Sequence, residues 1–265
     1  MAHLEFETKK AVVEGSCIYF HHQVPEKAGK GRLFYIHGTG CRAQVFKRHL
    51  SVISQDYEVA AIDLPGHGRS EGSGFRGVVD YAAVCGGLIR YLSWSKCVIV
   101  GHSMGGGIAL ALSIYESELA AALVLVDSGA RLRVAPAVIK NARAIALGLK
   151  KPGGDARVGF CSNTPDAIIE SVIQDKGVCH PSVVVKDWLA DDSCDFLSRV
   201  QTISQPTLAI VGAEDTLTPV KHHKFLAENM PNCELCVIPD AGHWPFSEQP
   251  QKFDNCLIEF LRKLG

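Results

Sequence analysis

The feature that most constrains the fold is a series of short apolar runs that contain no polar alternation. Each run is rich in β-branched or aliphatic residues and closes on glycine, aspartate or proline. Runs of this kind are typical of strands that are covered on both faces, as in a parallel sheet. They lie at residues 33–36, 59–62, 97–100, 123–126, 207–211 and 235–238.

Stretches with the apolar spacing of helices lie between these runs. A strand followed by a helix, repeated along the chain, predicts a doubly wound α/β fold with a mostly parallel sheet. A looser, partly alternating pattern at 5–12 and 16–22 predicts a hairpin at the edge of this sheet. The helical stretches are 42–54, 78–93, 105–115, 221–229 and 253–264.

The alternation stops after the sixth predicted strand. Three helical patterns, at 135–150, 166–174 and 181–190, then follow one another without a strand between them. An insertion of this kind in an α/β domain is typical of a helical lid. The predicted α/β core is 1–127 and 203–265, and the predicted lid is 128–202.

Charge and composition favour a small-molecule substrate over a polyanionic partner. The 27 basic and 28 acidic residues leave a formal net charge of −1. There is thus no electrostatic reason to expect binding to nucleic acid or to an anionic membrane. Residues 1–10 lack an apolar segment behind a basic start, which predicts a soluble, cytoplasmic protein. The sequence gives no indication of an oligomeric state.

The ten cysteines are scattered among predicted core elements, and without an export signal we expect reduced thiols. Cys233 and Cys236 form the single CxxC motif. They fall in a predicted strand, where residues three apart point to opposite faces, which argues against joint metal binding. We interpret them as small buried apolar residues.

Gly101-His-Ser103-Met-Gly105 is the first motif that indicates chemistry. It follows one apolar run and opens a helical stretch. A nucleophile elbow needs this strand-to-helix context, because its serine sits on a strained turn where glycines allow the chain to approach closely. Ser103 is therefore the candidate nucleophile, and it needs a base to take its proton.

His243 and Asp215 are the candidate base and orienting acid. Each follows a late predicted strand, so both loops are expected at the carboxyl edge of the sheet, together with the elbow. The order Ser103, Asp215, His243 is the one associated with the nucleophile elbow. Asp127 also ends a strand at this edge and stays open as an alternative acid or as a residue that anchors the lid.

Several polar residues near these motifs are interpreted as structural. Asp63, in the segment 63–70, is expected to shape a loop through its bonds, and His67 and His102 to position backbone. His37 is expected to hold the loop behind it, and Glu248 to support the entry of a helix.

These motifs together resemble the α/β-hydrolase family. The resemblance rests on the segments 37–40, 63–70, 101–105, 212–215 and 242–243 and covers the chain from about residue 33 onward, except the lid. It implies an oxyanion hole made of the backbone N–H groups of Thr39 and Met104. No metal or organic cofactor is implied, because the chain itself supplies the candidate nucleophile, base and oxyanion donors.

The lid offers weaker indications of specificity. Trp188 and Phe160, with Trp244 beside the base, are candidates for an apolar substrate pocket. Lid residues Arg131, Arg133, Lys140, Arg143, Lys150 and Lys151 and the acids Asp187, Asp191, Asp192 and Asp195 are interpreted as solvated faces and ion pairs. The alternative is that one arginine binds a substrate carboxylate.

The expected reaction is hydrolysis of a carboxylic ester or a related acyl bond of a small molecule through an acyl-enzyme, as in a carboxylesterase. A carbon–carbon bond hydrolase, a lactonase or a cofactor-free perhydrolase would use the same three residues. A non-catalytic small-molecule receptor on the same fold is the alternative of another class.

Overall fold

Eight strands form one sheet in the computed structural model, which describes residues 7–265. The strands are Glu7–Val13 (β1), Ser16–Gln23 (β2), Arg32–Ile36 (β3), Glu58–Ile62 (β4), Cys97–His102 (β5), Ala120–Val126 (β6), Thr207–Gly212 (β7) and Cys233–Ile238 (β8). Their spatial order is β1-β2-β4-β3-β5-β6-β7-β8. From β4 to β8 every neighbouring pair is parallel, as the apolar runs predict.

β1 and β2 form the antiparallel edge of this sheet. They pair as a hairpin, with Ala11 opposite Ile18, and β2 then pairs antiparallel with β4. The predicted edge hairpin is therefore confirmed for the described residues. Residues 5 and 6 of that prediction, and most of the 1–10 segment, lie outside the described range.

Helices cover the sheet on both faces. They are Lys47–Ile53 (α1), Val78–Tyr91 (α2), Met104–Tyr115 (α3), Pro136–Ala146 (α4), Asp166–Lys176 (α5), Pro181–Ser193 (α6), Val220–Asn229 (α7), Pro245–Glu248 (α8) and Pro250–Lys263 (α9). Alternate side chains of β3 show the two layers: Phe34 and Ile36 pack in the cluster that includes α2 and α3. Leu33 and Tyr35 pack in the cluster that includes α1 and α9.

Three helices, α4, α5 and α6, occupy the segment between β6 and β7, and no strand of the sheet falls within it. Each begins within one residue of the start predicted from sequence. We call residues 128–202 the lid from here on. Among the described residues, no helix is both long and apolar enough to cross a membrane.

One cysteine pair differs from the expectation of reduced thiols. Cys236 of β8 and Cys256 of α9 are joined as a disulfide, with Cα atoms 7.0 Å apart. The other eight cysteines, including Cys233, are free. The packing of α9 against β8 brings the two side chains together, and nothing in a separation of 20 residues indicates this pairing.

Candidate active site

Ser103 lies in a strained turn between β5 and α3. Its backbone has φ 55° and ψ −120°, a conformation that costs a non-glycine residue about 1–3 kcal/mol. The flanking glycines make the turn sterically feasible. A Cβ added at Gly105 would lie 2.2 Å from the carbonyl oxygen of Ile36, and one at Gly101 would lie 2.1 Å from that of Gly105. The predicted elbow geometry is present, and Ser103 faces a cavity.

Asp215 binds His243 directly. Its Oδ2 accepts hydrogen bonds from His243 Nδ1 at 2.9 Å and from the Thr218 hydroxyl at 2.6 Å. Its Oδ1 accepts from the backbone N–H groups of Leu217 and Thr218. Burial alone would raise the pKa of Asp215, but the bonds from His243 and Thr218 hold it well below the usual range. Asp215 therefore stays ionised and fixes His243 with Nδ1 as a donor.

Asp127 lies beside this pair but does not bind the histidine. Its Oδ1 accepts from the backbone N–H of Gly212 at 3.0 Å, and its Oδ2 is buried without a hydrogen-bond partner in the described part of the chain. Burial, and then the charge of Asp215, raise the pKa of Asp127 well above its usual value. Asp127 thus keeps its proton, and it anchors the end of β7 rather than the lid.

These three side chains also have the composition of a metal site, since one ligand-type atom of each lies within 4.8 Å of the others. The hydrogen bonds argue against that use. The four donors that bind Asp215 occupy all the lone-pair directions of a carboxylate. The arrangement suits the orientation of an imidazole.

The loop that follows β3 touches Ser103. A Cβ at Gly38 would lie 2.8 Å from the Cβ of Ser103. The backbone N–H of Thr39 has no acceptor within residues 7–265, and the N–H of Met104 opens α3, where a helix leaves its first donors free. His37 holds this loop as expected: its Nδ1 donates to the Gly38 carbonyl and its Nε2 accepts from the N–H of Leu64.

The loop that carries His243 is held from two sides. His102 Nε2 donates to the backbone carbonyl of His243 at 2.8 Å, and the N–H of His243 donates to the carbonyl of Gly159. Glu248 Oε1 accepts from the N–H groups of Gly242 and Trp244. Glu248 thus supports the entry of a helix as expected, since Trp244 is the N-cap of α8, and it also braces the histidine loop through Gly242.

Glu248 also contacts the lid. Its Oε2 accepts from the backbone N–H of Cys161 at 2.8 Å and from the hydroxyl of Thr164. Sequence reasoning missed this clamp, because the donors lie more than 80 residues away along the chain. Asp63, in contrast, is structural as expected, accepting from the N–H groups of Ala43 and Arg69.

The cavity in front of Ser103 and His243 has a volume of about 660 Å³. Trp188 and Trp244, two of the candidate pocket residues, line it. Phe160 does not: its ring stacks on that of Trp244 with centroids 6.1 Å apart, so it supports the wall from behind. Most of the lid side chains that line the cavity are apolar, among them Leu132, Val134, Val138, Ala142, Ile145 and Val184.

Two acids of α6 are buried, which corrects the interpretation of the lid acids as solvated. Asp187 accepts hydrogen bonds from the N–H of Gly40 at 2.9 Å, from His67 Nε2 at 2.8 Å and from the Tyr81 hydroxyl at 2.6 Å. Asp191, one turn later, accepts from the hydroxyl of Thr39. Their spacing of four residues, which places them on one helix face, is the signal that sequence reasoning passed over.

His67 is charged in this arrangement. Its Nδ1 faces the carbonyl of Pro65 at 3.2 Å and its Nε2 faces Asp187, so both nitrogens donate. Burial lowers the pKa of His67, but the interactions with Asp187 and Cys179 together outweigh burial and raise the pKa to about 10. Arg131 and Arg133 lie 3.7 and 3.9 Å from the exposed carboxylate of Asp195, as the surface interpretation expects. Arg133 also lines the cavity, so the alternative that an arginine binds a substrate carboxylate stays a prediction.

Comparison with known proteins identifies the family to which this chain belongs. A family model described as the alpha/beta hydrolase family matches residues 33–255. A pimeloyl-(acyl-carrier protein) methyl ester esterase from Neisseria meningitidis is 28% identical over 87% of this chain and 92% of its own length. A 2-hydroxy-6-oxononadienedioate/2-hydroxy-6-oxononatrienedioate hydrolase from Burkholderia vietnamiensis is 26% identical over 98% of both.

A solved structure of a thermophilic esterase from Thermogutta terrifontis is also similar. It superposes with a TM-score of 0.85 and 25% identity, covering 97% of this chain and 99% of the esterase. Since the family model spans most of its length, the chain belongs to the alpha/beta hydrolase family. Within that family it is a hydrolase with esterases among its relatives.

Proposed function

We propose that this chain is a serine hydrolase that cleaves a carboxylic ester of a small molecule through an acyl-enzyme. The observation that carries the proposal is that His243, which is bonded to Asp215, lines one cavity with the strained Ser103. The esterase relatives support the same reaction class. The apolar walls of the cavity favour an uncharged acyl or alcohol group.

In the proposed mechanism Ser103 Oγ attacks the ester carbonyl while His243 Nε2 takes the hydroxyl proton. The Nδ1–H of His243 stays hydrogen-bonded to Asp215, whose negative charge stabilises the imidazolium that forms. His243 then gives the proton to the departing alkoxide, and an acyl-Ser103 remains. A water molecule, deprotonated by His243, hydrolyses this intermediate and restores the serine.

The backbone N–H groups of Thr39 and Met104 are the proposed donors to the oxyanion. Both belong to segments whose geometry is fixed before substrate binds, the first by His37 and the second by α3. Fixed donors need no reorganisation as charge develops, and one such donor contributes about 3 kcal/mol in enzymes where it has been removed.

The test is intact-mass analysis after treatment with a fluorophosphonate, which adds covalently to activated serines. We expect one adduct on the wild-type protein and none on Ser103→Ala or His243→Ala. Circular dichroism of each variant provides the control for folding. A folded wild-type protein that does not react with the probe would overturn the proposal. It would favour the alternative of a non-catalytic small-molecule receptor on the same fold.

Carbon–carbon bond hydrolysis is the second candidate, because the Burkholderia vietnamiensis relative is named for such a substrate class. A panel containing simple esters, a lactone and a 2-hydroxy-6-oxo-dienoate distinguishes the two candidates. Cleavage of the dienoate with a higher kcat/KM than every ester would replace the ester proposal.

A further inference from the structure

Asp191 presents a buried carboxyl oxygen that the rest of the chain leaves unpaired. The residue is 4% exposed, and its Oδ2 accepts from the Thr39 hydroxyl at 2.6 Å. Its Oδ1 is buried and has no hydrogen-bond partner anywhere in residues 7–265. A buried polar group without a partner is destabilising, and each such group in a folded protein calls for a physical reason.

Burial and a neighbouring negative charge indicate that Asp191 carries a proton at neutral pH. The buried cation His67 is bonded to Asp187, one turn earlier on α6, and not to Asp191. Burial, together with the charge of Asp187, raises the pKa of Asp191 to about 8 against the opposing bond from Thr39. Because Oδ2 accepts a hydrogen bond, the proton resides on Oδ1, which is thereby a donor.

The other titratable groups near Asp191 do not supply a charge that would offset the effect of Asp187 on its pKa. Burial raises the pKa of the nearby Cys194 thiol to about 12, so the thiol stays neutral. No cation forms an ion pair with Asp191 among the described residues. The other charged or titratable residues that line the cavity are Arg133, Lys176, His102, His222, His243, Cys41 and Cys179.

Asp191 lines the same cavity as Ser103 and Thr39, and its second oxygen is tied to the loop that supplies the proposed oxyanion donor. We propose that Asp191 determines specificity by donating a hydrogen bond from Oδ1 to a substrate oxygen other than the scissile carbonyl. The favoured substrates are esters with an ether or keto oxygen near the reacting carbonyl. This inference rests on the proposed esterase function.

The test compares esters that differ by one oxygen in place of a methylene. One pair, ethyl methoxyacetate and ethyl butanoate, varies the acyl side. The other pair, 2-methoxyethyl acetate and butyl acetate, varies the alcohol side. Hydrolysis is followed by pH-stat titration for the wild type, Asp191→Asn, Asp191→Ala and Asp195→Asn. The last variant removes an exposed carboxylate of the lid that does not line the cavity.

For each pair we take the ratio of kcat/KM for the oxygen-containing ester to kcat/KM for its hydrocarbon counterpart. In at least one pair we expect this ratio to be about tenfold lower in Asp191→Ala than in the wild type, because one hydrogen bond is lost. Asp191→Asn should keep most of the ratio, because its amide oxygen accepts from Thr39 while its N–H donates. Asp195→Asn should match the wild type. Forming the ratio cancels any general loss caused by a shifted Thr39 loop.

The pH dependence separates donation from a purely structural role. The wild-type ratio should fall as pH rises through about 8, because the ionised carboxylate no longer donates, whereas the Asp191→Asn ratio should stay constant. Ratios that are equal in all variants and at every pH would overturn this inference while the ester activity stands. A wild type that hydrolyses none of the four esters would overturn the proposed function and this inference with it.

Discussion

Asp127 and Asp215 end neighbouring strands, and their surroundings give them opposite protonation states. Asp215 receives four hydrogen bonds and stays ionised, whereas Asp127 receives one from Gly212 and keeps its proton. The sequence placed both at the correct edge of the sheet. It could not separate them, because the difference lies in donors that the loops after β7 and β8 supply to Asp215 and not to Asp127.

This difference predicts unequal effects of the same isosteric change. Asp215→Asn should lower kcat about ten-thousand-fold, because an amide favours the wrong tautomer of His243 and cannot stabilise its cation. Asp127→Asn should leave kcat within about threefold, because a neutral acid is replaced by a neutral amide of the same shape. Steady-state kinetics on one ester measures both. A larger loss of kcat for Asp127→Asn than for Asp215→Asn would contradict this assignment and would indicate that Asp127 orients His243.

Close packing at the elbow gives a prediction about stability. Gly105→Ala should lower the free energy of unfolding by about 3 kcal/mol, because its Cβ would collide with the backbone of Ile36. Gly153→Ala is the matched control: no atom lies within 4 Å of its added Cβ, so the change should stay within about 0.5 kcal/mol. Urea denaturation compares them. Equal midpoints would show that the elbow relaxes without cost.

Helix α6 is attached to the core through its acids rather than through apolar contacts alone. Asp187 accepts from the Gly40 backbone, His67 and Tyr81, which come from three separate segments of the core. The same helix contributes Trp188 and Asp191 to the cavity. The position of these two side chains therefore depends on a buried ion pair.

Removing that anchor is expected to be costly. Asp187→Ala should destabilise the protein by about 3–5 kcal/mol, because it leaves a buried cation and a hydroxyl without partners. Asp195→Ala, on the same segment but exposed and no closer than 3.7 Å to its arginines, should cost less than about 1 kcal/mol. Thermal unfolding followed by circular dichroism tests the pair. A small effect of Asp187→Ala would mean that apolar packing holds α6 by itself.

The secondary structure was largely predictable because its signals are local. Apolar runs mark the strands from β3 to β8, and helical spacing marks α4, α5 and α6 to within a few residues at each end. The roles of individual acids were not predictable. Whether Asp187 is solvated or buried depends on His67 and Tyr81, which lie more than 100 residues earlier.

The stability of the whole molecule should depend on pH through His67. Its pKa is raised to about 10 in the folded state, so its contribution is complete below about pH 6.5, the unfolded value, and is lost as pH rises toward 10. Between pH 8 and pH 10 the free energy of unfolding should fall by up to about 1.4 kcal/mol per pH unit more in the wild type than in His67→Gln. Urea denaturation at several pH values measures the two slopes. Parallel slopes would show that His67 is neutral in the folded protein.

At the scale of the whole chain, the sequence indicated which segments meet at one edge of the sheet. It did not indicate which side-chain bonds connect these segments. Ser103, Asp215 and His243 follow different strands, and the parallel sheet brings their loops together. The pairing of Cys236 with Cys256 and the donors around Glu248 depend on side-chain packing between distant segments. A pattern read along one chain does not contain that information.

The clamp at Glu248 sets limits on how this lid can be exchanged by recombination. Gly159, Cys161 and Thr164 belong to the lid by sequence, yet they hydrogen-bond to His243 or to Glu248, which braces the histidine loop. A crossover at residues 127 and 203 would exchange the lid walls of the cavity and, in the same step, remove part of the support of the His243 loop. A crossover between α4 and residue 159 would leave that support with the recipient. In this chain the segment that can be exchanged without disturbing the His243 loop is therefore shorter than the lid predicted from the sequence.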